Sequence, residues 1–172
     1  HLVFSIRKHW INILIAAVNL REIDWAEKFV NDYINIVQSE YRDSMKFYSE
    51  AIISFMKNDY LKALENINKV KNDYLVLKLD VKSWMLKIYY ELNYTDSAYS
   101  LIDSYRHFLS KNRSLSDHLR ERHNNYLKFT GELLKLRTGN INGSLDQLAD
   151  SLKKTSNVVH KDWIKEKIST LK

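Results

Sequence analysis

The densest run of side chains able to do chemistry lies between Tyr105 and Tyr126. Arg106, His107, Lys111, Arg113, His118, Arg120, Arg122 and His123 fall within it, opposed by Asp117 and Glu121, and Tyr105, Phe108 and Tyr126 are interleaved with them. Cations neutralise phosphates and rings stack on unpaired bases, so this pattern suits RNA or single-stranded nucleic acid. The same pattern describes a solvated helix face whose charges pair at three and four residues and whose rings belong to the core.

Other chemistries find less to work with. His118 and His123 are five residues apart, which places them on different faces of a helix rather than on the shared face that a metal pair needs. Cysteine is absent, which removes thiolate ligands, disulfides and a cysteine nucleophile. Three glycines cannot furnish a phosphate-cradling loop or a dinucleotide fingerprint, and neither a nucleophile elbow nor an HExxH motif occurs. The expectation is therefore a non-enzymatic chain without metal or cofactor. Three triplets, Asn93-Tyr94-Thr95, Asn112-Arg113-Ser114 and Asn142-Gly143-Ser144, match the N-glycosylation acceptor, as chance allows in so asparagine-rich a chain.

Composition says what must position these residues. Of 172 residues, 45% are hydrophobic and 28% charged, which are globular values. There is no proline, and glycine occurs only at 131, 139 and 143. A β architecture uses such residues at most of its corners, whereas helices need few. The net charge is +6, carried by 19 Lys and 8 Arg against 21 acidic residues, and favours acidic partners. The most apolar run, Trp10 to Leu20, is too short for a membrane span of about 20 residues. With no leader visible, a cytoplasmic setting is expected. The chain opens on His1 rather than Met and reads as part of a longer protein.

Apolar residues recur at three and four, as in Trp84, Met85, Ile88, Tyr89 and Leu92, or Leu145, Leu148, Ala149 and Leu152. No convincing segment alternates with period two. The pattern predicts an all-α fold of about nine helices, near 2–20, 24–38, 41–57, 60–71, 74–92, 96–111, 115–137, 142–155 and 159–171. Asp24, Thr95 and either Ser114 or Ser116 are the predicted caps, with Glu27 completing a capping box at Asp24. Gly139 and Gly143 bracket the turn before the eighth helix. The connections are short, so successive helices must reverse direction.

A small residue opens each second helix: Ala26, Ala63, Ala98 and Ser144, spaced by 37, 35 and 46 residues. An aliphatic follows each four later, at Val30, Ile67, Ile102 and Leu148. With Trp10 and Ile13, Phe47 and Ala51, and Met85 and Tyr89 on the first helices, residues 7 to 155 resemble the tetratricopeptide repeat family, whose period is about 34. Leu14 and Leu86 stand where that family usually has Gly, and its closing Pro is missing. The resemblance implies stacked antiparallel helix pairs in a right-handed α-solenoid, one domain over 1–172 with units near 7–40, 41–73, 74–112 and 113–156 and a capping helix over 157–172. Trp10, Ala26, Ala51, Ala63, Ala98 and Ser144 become its packing positions.

In that family the first helices line a concave groove. The resemblance therefore implies that Tyr48, Ile52 and Phe55, then Ser83, Lys87 and Tyr90, then Phe129 and Leu133 face a protein or peptide ligand. An apolar groove with a basic edge suits an amphipathic helix or extended peptide with acidic flanks. Protein recognition is the leading expectation, and nucleic-acid binding through Arg106, Lys111, Arg113, Arg120 and Arg122 is the alternative.

Overall fold

A computed structural model describes residues 2–71, 74–139 and 144–171, with side chains from residue 6 onward. Among these residues the chain is all-α, with nine α-helices and no strand: α1 (Leu2–Asn19), α2 (Ile23–Tyr33), α3 (Ser39–Met56), α4 (Tyr60–Asn68), α5 (Leu75–Glu91), α6 (Thr95–Lys111), α7 (Asp117–Arg137), α8 (Leu145–Lys154) and α9 (Lys161–Leu171). A single 3-10 turn at Ile34–Ile36 ends the second helix earlier than its periodicity predicts. No helix of the described residues is long and apolar enough to cross a membrane.

The contacts divide the chain into two compact units, 1–92 and 93–172. In the first, α1 packs on α2 and α3, α2 on α3, α3 on α4, and both α3 and α4 on α5. First helices thus touch first helices while second helices bridge to the next pair. In the second unit α6 packs on α7, and α7 on α8 and α9, which also pack on each other.

The repeat is written most sharply in the turns. Arg21, Asn58 and Asn93 all adopt a left-handed backbone with φ of 61°. Each lies five residues before Ala26, Ala63 or Ala98, and those three alanines are fully buried. In the first two turns the residue after the left-handed one returns its N–H to a carbonyl five residues back, Glu22 to Ala17 and Asp59 to Ser54, both at 2.9 Å. This closes the first helix with a left-handed cap, a conformation that Asn tolerates and Arg does not favour. The N–H groups of all three alanines then bond the residue four back at 2.9 Å, opening the second helix.

The fourth pair departs from this plan. Gly139 is left-handed at φ 74°, Asn140–Gly143 lie outside the described residues, and Ser144 is exposed. Its hydroxyl accepts from the Gln147 N–H at 3.1 Å while the Gln147 side chain accepts from the Ser144 N–H at 3.3 Å, a capping box. Ser144 is therefore a helix cap rather than the packing residue its spacing predicts. Two other caps move by one or two residues. α2 starts at Ile23 behind Glu22, leaving Asp24 inside the first turn, and α6 starts at Thr95 behind Tyr94. Neither Glu22 nor Tyr94 makes a side-chain cap, whereas Asp59 in the equivalent turn accepts from the Lys62 N–H at 3.2 Å. Ser116 caps α7 by accepting from the Leu119 N–H.

Trp10 and Ala51 are buried. Trp10 donates its indole N–H to Ser49 Oγ at 2.9 Å inside the core, joining α1 to α3. Leu14 and Leu86 are fully buried. On α5 the core is not the Met85 and Tyr89 stripe. Those two are half-buried, while Leu77, Leu79, Val81, Trp84, Leu86, Ile88 and Tyr90 are buried nearly all round. A helix covered on most sides has no single apolar face to read.

Candidate functional site

The eight expected groove residues are all buried. On α3, Tyr48 and Ile52 are completely covered and Phe55 nearly so. Burial pushes the Tyr48 phenol well above its ordinary range. On α5, Ser83, Lys87 and Tyr90 are buried, and on α7 so are Phe129 and Leu133. These side chains are core and line no open groove. In the first unit the reason is packing: α3 lies against both α1 and α5, so the helices that would frame a groove close over its residues.

The first unit does gather Phe55, Trp84 and Lys87 into one cluster. The Lys87 Nζ lies 3.8 Å from the Trp84 ring centroid and 4.5 Å from that of Phe55, and the two rings meet edge to face at 5.4 Å. Lys87, at 5% exposure, is a structural cation held by aromatic faces. Arg7 is held the same way. Its guanidinium lies 3.8 Å from the Tyr41 centroid and 4.5 Å from that of Tyr74.

The basic stretch divides by role. Arg120 donates to three backbone carbonyls, those of Leu109, of Asn112 at 3.1 Å and of Leu115 at 3.3 Å. It staples the end of α6 and the following turn to α7, so it is not an open phosphate contact. Arg106 pairs with Asp103 at 3.6 Å on the surface. Lys111, Arg113 and Arg122 are exposed and have no ion-pair partner among the described residues. The aromatics do not stand beside them as stacking platforms: Tyr105 and Tyr126 are fully buried and Phe108 is half-buried. Tyr105 shares a 2.7 Å hydrogen bond with Nδ1 of His123. Burial, followed by the nearby Arg122 charge, lowers the His123 pKa to about 4.

Beside the start of α7, a shallow cleft of about 340 Å³ is lined by His118, Arg122, Ser156, Asn157 and Val158. Asn157 donates to the His118 carbonyl at 2.9 Å and to Glu121 Oε2 at 3.2 Å, tying the segment before α9 to α7. Among the described residues no group of three or more His, Asp or Glu side chains is placed to hold a metal ion. The charge is uneven along the chain. Residues 93–172 carry fourteen Lys and Arg against nine Asp and Glu, a balance of +5, whereas residues 1–92 carry thirteen against twelve, a balance of +1.

A surface on α2 escaped the sequence reading. Trp25, Phe29 and Tyr33 recur every four residues and form one column of rings. Trp25 stacks on Phe29 at 5.4 Å and 8°, Phe29 meets Tyr33 at 5.7 Å, and Trp10 backs Phe29 at 4.5 Å. Phe29 is the floor, while Trp25 and Tyr33 remain 50% and 51% exposed. Lys62 and Ser97 stand at the positions equivalent to Trp25, one residue before Ala63 and Ala98 as Trp25 is before Ala26. That position faces water in all three helices, and only α2 spends a tryptophan on it. The signal was present in the spacing, but aromatics at helical period read first as core.

No protein-family model, curated protein or solved structure matches this chain.

Proposed function

We propose that this chain is a non-enzymatic helical-repeat scaffold that binds another protein, and that it does so through the ring column of α2 in place of a concave groove. The observation that carries this reading is the half-exposed Trp25, stacked on Phe29 at a position that is polar in the sister helices. Exposed tryptophan and tyrosine on a rigid helix bring large contact area at low entropic cost, and they are the residues most enriched at binding hot spots. A tetratricopeptide-like solenoid is the finer architecture we propose. The left-handed residue placed five before each buried alanine supports it, as does the packing of α1 on α3 and α3 on α5.

A photo-cross-linking side chain placed at Tyr33 tests the reading in the cells that express the protein. The expected result is a discrete protein adduct from position 33 and none from position 62. Absence of any adduct from position 33, with the chain folded and abundant, overturns it.

Lys111, Arg113 and Arg122, without ion-pair partners among the described residues, together with the +5 balance of residues 93–172, favour nucleic-acid binding as a second reading. It predicts affinity that falls steeply with salt and that drops on Arg122→Ala combined with Arg113→Ala. Because Tyr105 and Tyr126 are buried and Phe108 is half-buried, such binding would rest on phosphates and be indifferent to sequence.

A further inference from the structure

We infer that the cleft beside the start of α7 is a binding site for a phosphate group, held by Arg122, His118 and Ser156. The inference rests on the nucleic-acid reading and deepens it by naming the seat of one phosphate. It does not involve the ring column of α2.

His118 and Arg122 lie four residues apart on α7, so their side chains leave the same face of the helix. The segment after α8 supplies Ser156, Asn157 and Val158, and these five residues line the cleft of about 340 Å³. The two walls are tied together. Asn157 donates to the His118 carbonyl at 2.9 Å, Asn125 donates to the Asn157 carbonyl at 3.0 Å, and Val158 is buried beside them.

Asn157 also decides what the histidine can do. Its amide nitrogen reaches the His118 carbonyl and the Glu121 Oε2 at 3.2 Å, two atoms that only accept. The amide nitrogen is thereby turned toward α7, and the same atom stands 3.3 Å from Nδ1 of His118. Nδ1 must then accept, which leaves the ring proton on Nε2. The imidazole presents an N–H donor on its other edge before any ligand arrives.

Arg122 supplies the charge. Other arginines of this unit are engaged, Arg106 with Asp103 and Arg120 with three carbonyls. Arg122 is exposed and has neither an ion-pair nor a hydrogen-bond partner among the described residues. Asp117 and Glu121 each precede a cleft residue by one position, so they project about 100° away around the helix. Glu121 is also taken up by Asn157, and no carboxylate lines the cleft. Lys153 and Lys154, two and three residues before Ser156, add positive potential.

This donor set selects a tetrahedral oxyanion. The planar guanidinium grips two oxygens of a phosphate, and the imidazole N–H and the Ser156 hydroxyl reach the rest. A carboxylate has only two oxygens and leaves donors unused.

Titration of the whole chain with inorganic phosphate, followed by 1H–15N NMR, tests this. The Arg122 Nε–H and the backbone N–H groups of Ser156 and Asn157 should shift together and saturate, with half-saturation below about 10 mM. Acetate at equal ionic strength should bind at least several-fold more weakly. Arg122→Ala should abolish saturation, and Arg122→Lys should not restore it, because an ammonium lacks the fork. Ser156→Ala should weaken binding several-fold. Both side chains are exposed, so the fold is retained in these variants. Shifts that grow linearly with phosphate, or saturation that is unchanged in Arg122→Ala, overturn the inference. Two competitors separate the sources of the phosphate. Displacement by a single-stranded oligonucleotide without a terminal phosphate assigns the seat to a nucleic-acid backbone. Displacement by a mononucleotide alone assigns it to a free phosphate monoester. Oligonucleotide binding that needs Lys111 and Arg113 but persists in Arg122→Ala removes this seat and leaves the nucleic-acid reading in place.

Discussion

The Tyr105 hydroxyl lies 2.7 Å from Nδ1 of His123 within the core of residues 93–172. His123 is 4% exposed and titrates near pH 4, below the ordinary value of 6.5. The folded protein therefore resists a proton that the unfolded chain accepts. Stability from this residue is complete above pH 6.5, is lost as the pH falls toward 4, and levels off below. The whole change amounts to on the order of 3 kcal/mol. Urea titrations at pH 7 and pH 4.5 should show the loss, and His123→Leu should remove this share of the pH dependence. An equal acid sensitivity in His123→Leu would contradict the assignment.

Arg7 joins three elements, since its own helix is α1, Tyr41 belongs to α3 and Tyr74 precedes α5. Arg7→Ala should destabilise the first unit by about 2–3 kcal/mol, the worth of two desolvated ring contacts. Arg7→Lys should recover less than half, because a planar guanidinium stacks between two rings and an ammonium does not. Urea midpoints measure both, and full rescue by Lys would argue against stacking.

Arg120→Ala should lower stability by about 2–3 kcal/mol, since three carbonyls lose a charged donor. Any nucleic-acid affinity should change only through this loss of structure, whereas Arg122→Ala should leave the melting temperature within about a degree. A melt unaffected by Arg120→Ala would return that residue to the open basic surface.

Gly131 lies in the middle of α7, and a Cβ built there would meet Ile102 Cδ1 at 4.0 Å, an ordinary contact. Gly131→Ala should therefore stabilise by about 0.5–1 kcal/mol through reduced chain entropy. A lower melting temperature would mean that the space is needed for something else.

Ala63 is fully covered where α4 closes on α3. Ala63→Leu should overpack the contact and destabilise by about 1–3 kcal/mol, and Ala98→Leu should do the same in the second unit. Unchanged melts in both variants would contradict the repeat register.

Residue pattern predicted the helices and the alanine register because both rest on local periodicity. The turns were half legible. Asn58 and Asn93 mark left-handed positions by type, but Arg21 does so only by its offset from Ala26. The site reading went astray at Tyr48, Lys87 and Arg120, where the deciding facts lie between helices. A lysine over two rings, or an arginine across three carbonyls, has the sequence signature of a surface cation. The α2 column erred the other way, since Trp25 looks like core until its neighbours are known.

A three-residue turn locked by one left-handed residue has no slack. Adding or deleting a single residue at Asn58 would swing everything downstream by roughly 100° about the helix axis and carry Ala63 off its seat. Length is therefore fixed at the three turns of Arg21, Asn58 and Asn93, and the extra residues of the 46-residue step from Ala98 to Ser144 enter outside them, between α6 and α8.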